Sequence, residues 1–66
     1  MPKLSREDRQ WIVPLYTDPT RSVARLARWL VNGGDRTATR TDLVPLLQHA
    51  DREVRIKATA LAAKFP

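Results

Sequence analysis

Sixty-six residues make a single domain, 1–66, and a chain this short hides only about 60% of its unfolded surface, so its stability margin is thin. With no Cys, neither a disulfide framework nor a thiolate metal site can supplement the core. Twelve Lys+Arg against seven Asp+Glu leave a net charge of +5, which favours anionic partners, while 42% hydrophobic and 29% charged residues describe a globular rather than a disordered chain.

The opening MPKLSREDRQ lacks the apolar run of a signal peptide, and no stretch approaches the roughly 20 apolar residues of a membrane span. The expectation is a cytoplasmic protein with no membrane partner. Met1 to Leu4 reads as a frayed lead. Ser5 is placed to cap a first helix, with Asp8 three residues on as the capping-box acid. That helix is predicted over Arg6 to Tyr16, with Trp11, Ile12, Leu15 and Tyr16 on one face. Pro14 lies inside it and should bend it rather than end it, since the apolar spacing continues across.

Thr17-Asp18-Pro19-Thr20 is a turn. Asp18 is expected to cap a second helix from Pro19 to Val31, with Pro19 at the first position, where a missing N–H costs nothing. Val23, Leu26, Ala27, Leu30 and Val31 follow helical spacing, and Arg21, Arg25, Arg28 and Asn32 share the opposite face. Asn32-Gly33-Gly34 ends the helix, because Gly accepts a left-handed cap. After a polar connection, Thr39 with Asp42, or Thr41, starts a third helix carrying Leu43, Val44, Leu46 and Leu47, with Pro45 near its start. Asp51 caps a fourth helix whose stripe is Val54, Ala58, Leu61, Ala62 and Phe65.

Residues 42–64 slide onto 11–33 at an offset of 31. Val44 meets Val13, Pro45 meets Pro14, Leu46 meets Leu15, Arg52 meets Arg21, Val54 meets Val23, Ala58 meets Ala27 and Leu61 meets Leu30. Chance gives about one or two such identities, and most of these fall on the apolar stripes. The chain therefore reads as two copies of one helical hairpin, at about 5–33 and 39–65.

The run from Leu46 to Ala58 resembles a HEAT repeat. That family's pattern is a Leu-Leu ending of the first helix, an Asp-rich turn, then Val-Arg and a small residue opening the second. Asp51, Val54, Arg55 and Ala58 match it. In the first hairpin Leu15, Asp18, Pro19, Val23 and Ala27 fit, but Ala24 stands where the Arg would be. The resemblance implies an all-α fold of four short helices as two stacked antiparallel hairpins, and binding without catalysis. Two such repeats leave open apolar ends.

No catalytic constellation is convincing, and neither an enzyme, a cofactor, a metal nor a small-molecule substrate is expected. His49 is the only His and reads as an ordinary turn residue. The two functional readings are interaction readings. One is a protein partner or homo-oligomer, anchored on Trp29, Tyr16 and Ile56, of which Trp29 and Ile56 fall beside their stripes. The other is a nucleic acid, or an acidic partner, held by Arg21, Arg25 and Arg28. In a stack with second helices side by side, Arg52 and Arg55 would extend that ridge, with Arg36 and Arg40 adding to it. A helix-turn-helix arrangement of helices two and three around Asn32-Gly33-Gly34 is a further possibility for DNA, weakened by the length of the Gly33 to Ala38 loop.

Overall fold

The Ser5–Asp8 capping box and the Asp51 cap form where the sequence places them, and the expected Asp18 cap does not. The computed structural model describes residues 3–66, and the chain in it is all-α. The Ser5 hydroxyl accepts the Asp8 N–H at 3.1 Å, and the Asp8 carboxylate accepts the Ser5 N–H at 2.9 Å, opening α1 (Arg6–Ile12). Pro14 has no N–H for the carbonyl four residues back. The chain answers by tightening to a 3-10 helix over Val13–Thr17. The first arm thus stays helical past Pro14, as expected, but its α-helical part stops at Ile12.

Helices α2 (Arg21–Val31) and α4 (Arg52–Ala62) begin and end at the same offset of 31 and have 11 residues each. Asp51 caps α4 through the Glu53 N–H at 2.9 Å. α2 starts at Arg21, not Pro19, with Thr20 as its N-cap, and no side chain caps it. Asn32 ends α2, and Gly33 follows at φ +110°, the left-handed conformation expected of it. In the connection, the Asp42 carboxylate accepts the Thr39 N–H at 2.9 Å. The third arm is a 3-10 turn over Arg40–Leu43 running into α3 (Val44–Leu47), a single turn with Pro45 at its start.

The core takes the same positions from both hairpins. Ile12 and Leu43, Ala27 and Ala58, and Leu30 and Leu61 are all essentially sealed from water, and each pair is 31 residues apart. Fully burying one such Leu or Ile side chain stabilises by about 1.5–3 kcal/mol. The ends are tied in. The Asp35 carboxylate, itself buried, accepts the Lys3 and Leu4 N–H groups at 3.1 and 3.2 Å, which seats Leu4 in the core. The expected frayed lead is therefore ordered at Lys3 and Leu4, while Met1 and Pro2 lie outside the described residues. Arg40 clasps the other end, donating from Nε to the Phe65 carbonyl at 3.0 Å and from its backbone to the Pro66 oxygen at 2.8 Å.

Across the hairpins, α2 packs on α3. α1 runs antiparallel to α4. Asp8 pairs with Lys64 at 2.8 Å at one end of that seam, and Pro14 and Leu15 share a groove with Asp51 and Val54 at the other.

Gly34 marks a close approach of the connection to α2. A Cβ there would lie 2.3 Å from the Trp29 ring and 2.7 Å from the Trp29 carbonyl oxygen. Gly34→Ala is expected to destabilise the fold by about 1–3 kcal/mol through overpacking, seen as a lower urea midpoint. An unchanged midpoint would contradict this packing.

Candidate functional site

The turns of the two hairpins meet. Asp18 and His49, equivalent positions 31 residues apart, join through Oδ2 and Nε2 at 2.7 Å, with 9% and 12% of their side chains exposed. The His49 Nδ1 accepts the Asp51 N–H at 2.9 Å. That nitrogen therefore carries no proton, and the neutral ring must donate its Nε2–H to Asp18. Asp18 also accepts the Thr20 N–H at 2.8 Å. Asp18 is thus a turn-to-turn tie rather than a helix cap, and His49 is a structural partner rather than an ordinary turn residue. The His49 hydrogen bond, followed by the Thr20 N–H, holds the Asp18 carboxyl below its ordinary value. Burial alone would raise Asp8, but its bonds to Lys64 and Ser5 outweigh it and bring that carboxyl down as well.

The expected arginine ridge divides. Arg55 is half-buried, and its guanidinium donates to the carbonyls of His49 and Ala50 at 2.7 and 2.9 Å, closing the end of the third arm. Arg28 lies over the Tyr16 ring at 5.1 Å and donates to the Tyr16 carbonyl at 3.4 Å, serving the first hairpin from one turn later than the Ala24 position. Arg40 is spent on Phe65 and Pro66. Arg21 and Arg25 remain exposed, one turn apart on α2, and Arg36 is exposed in the connection beyond. Neither Arg21, Arg25 nor Arg52 forms an ion pair among the described residues. Arg52 is exposed at the first position of α4. α3 is one turn long, which leaves a helix-turn-helix arrangement no second helix to lie in a groove.

The expected aromatic surface divides too. Tyr16 is half-covered beneath Arg28. Trp29 is 42% exposed, with its ring resting on Gly34 beside Arg25 on the outward face of α2. Ile56 is 54% exposed but stands on α4, apart from the Trp29 face.

A concave feature runs along the seam between α1 and α4. It is a solvent-open groove of about 840 Å³, with Trp11, Pro14, Leu15, Val54 and Ala60 forming its apolar lining. Glu7 and Asp8 stand at one end, Asp51 and Glu53 at the other, and Lys57 is the single cation among these lining residues. Its volume falls in the range of ligand clefts, but those enclose their ligands. An open trough suits a segment laid along it. Of these four acids, sequence reasoning placed Asp8 and Asp51 as helix caps. The available signal was their distribution: first-turn acids occur in α1 and α4 and are missing from α2, and antiparallel neighbours carry those acids to opposite ends of one groove.

No helix among the described residues is long and apolar enough to cross a membrane. No protein-family profile, curated protein or solved structure matches the chain.

Because the folded values of Asp18 and Asp8 lie below the ordinary carboxylate value of 3.8, the unfolded chain binds more protons in acid. Their contribution is complete above that value and is lost as pH falls through the lower folded ones. The urea midpoint should drop as pH is lowered from about 5 toward 2, and Asp18→Asn should flatten that drop. An identical acid profile in the variant would contradict the assignment.

Proposed function

We propose that this protein is a non-catalytic interaction module that docks a basic amphipathic protein helix in the groove between α1 and α4. The observation that carries the reading is the groove itself: an apolar trough with carboxylates at both ends in a chain whose net charge is positive. Such a trough takes the apolar face of a helix along its floor and the flanking cations at its ends, the helix-in-groove mode of recognition. The HEAT-like resemblance supports the same class of function. Its turn signature has structural work here: Asp51 caps α4, Arg55 closes the turn carbonyls and Ala58 lets the helices approach. The single imidazole is committed on both nitrogens to structural partners, which supports binding rather than chemistry.

A second reading rests on Arg21 and Arg25. Unpaired cations one turn apart beside a half-exposed Trp suit a phosphate backbone and a stacked base. Under that reading Arg21→Ala with Arg25→Ala weakens binding to random-sequence duplex DNA and lowers its salt slope by about 2. An unchanged slope removes it.

For the docking reading, a synthetic Lys-rich amphipathic peptide should shift the amide resonances of the groove residues, and an acidic counterpart should not. Glu7→Gln with Glu53→Gln should weaken that binding by roughly three- to thirtyfold, with the helical content unchanged. Shifts spread over the whole surface, or equal shifts with the acidic peptide, would contradict it.

A further inference from the structure

We infer that the helix this groove accepts is α2 of a second copy of the chain, in a head-to-tail contact. The inference rests on the docking reading and names its occupant. With its apolar stripe buried in its own core, α2 offers complementary charge and one apolar side chain, Trp29, on its outward face. The chain from Pro19 to Gly34 contains three Arg and no acid, and its outward face sets Arg21 and Arg25 beside Trp29. The groove offers Glu7 and Glu53, which form no ion pair among the described residues, and an apolar floor, while Asp8 is held by Lys64 and Asp51 caps α4. The dimensions agree as well. Eleven residues of α2 span about 16 Å, and the stretch of α4 that lines the groove, Asp51 to Ala60, spans about 15 Å.

No residue of α2 lines the groove of its own molecule, and Arg21, Arg25 and Trp29 stay exposed, so α2 does not fill it. The contact is therefore intermolecular and heterologous. Each copy offers its α2 to one neighbour and its groove to another, which builds open chains unless the rotation closes a ring. One helix face covers less than the roughly 800 Å² per partner of a stable interface, so each joint is weak, concentration-dependent and salt-sensitive. Lys57 is the one lining cation that opposes an arginine-bearing helix, and it limits the strength of the joint.

Sedimentation velocity over a wide range of concentration, at low and high salt, tests this. The weight-average mass should rise with concentration and fall with added salt. Lys57→Glu should move association to at least about threefold lower concentration. Arg21→Glu with Arg25→Glu destroys the helix surface, and Glu7→Gln with Glu53→Gln weakens the groove without making it complementary to the reversed helix, so each variant alone should associate more weakly than the wild type. Mixed one to one, they should form a dimer, because the mixture retains one intact helix face and one intact groove. A wild type that is monomeric throughout, a mixture that forms no dimer, or a Lys57→Glu chain that associates less would overturn the inference. If the wild type is monomeric while the Lys-rich peptide still shifts the groove resonances, the docking reading stands and only the second copy is excluded. If a monomeric wild type binds duplex DNA and the Arg21→Glu, Arg25→Glu variant does not, α2 belongs to nucleic acid and the inference falls.

Discussion

The contact between Asp18 and His49 sets how the two halves of this small protein meet. Neither hairpin can bury its own apolar stripe, so stability requires that they share a core, and sharing requires a register. The 2.7 Å bond between equivalent turn residues supplies one. It does so within a small network: the Asp51 N–H fixes the imidazole tautomer, Thr20 completes the coordination of Asp18, and Arg55 closes the carbonyls behind His49. A hydrogen bond to an ionised partner contributes about 1.5–3 kcal/mol, which is substantial against the few kcal/mol that a core of this size supplies.

The functional features follow from that register. With the turns held together at one end, α2 meets α3 and α1 meets α4. The second of these seams does not close. Trp11 and Leu15 line it from α1 and the 3-10 turn that Pro14 imposes, and the pairing of Asp8 with Lys64 joins its far end. What lies between is the groove. Helix electrostatics then divide the charge. Acids favoured at helix N-termini sit in the first turns of α1 and α4, and the antiparallel seam brings them to the two ends of the same trough. α2, without an N-terminal acid, carries the unpaired arginines on another side of the molecule.

Much of the fold was legible locally. The Ser5–Asp8 capping box, the Asp51 cap, the left-handed Gly33 and the apolar stripes of α2 and α4 are short-range consequences of short-range residues. What was not legible depended on partners far along the chain. Asp18 followed by Pro19 and Thr20 carries a strong local cap signal, and nothing near it announces a histidine 31 residues away. Arg55 and Arg28 look like surface cations until the carbonyls they serve are placed. The repeat itself is compatible with two arrangements, second helices side by side or α1 returning to α4, because both bury the same stripes. Lys3 and Leu4 escaped for the same reason, since Asp35, which orders them, lies in a loop more than thirty residues on.

Exposed polarity and buried register thus belong to one construction: a twice-written hairpin whose halves are pinned at their turns and splayed along one seam. A double-mutant cycle on Asp18→Asn and His49→Gln, read by urea unfolding near neutral pH, addresses the pin directly. The account predicts a coupling energy of about 1 kcal/mol or more between the two positions. Additive effects, with coupling below about 0.3 kcal/mol, would mean that the turns are not held by this pair and that the arrangement built on it is wrong.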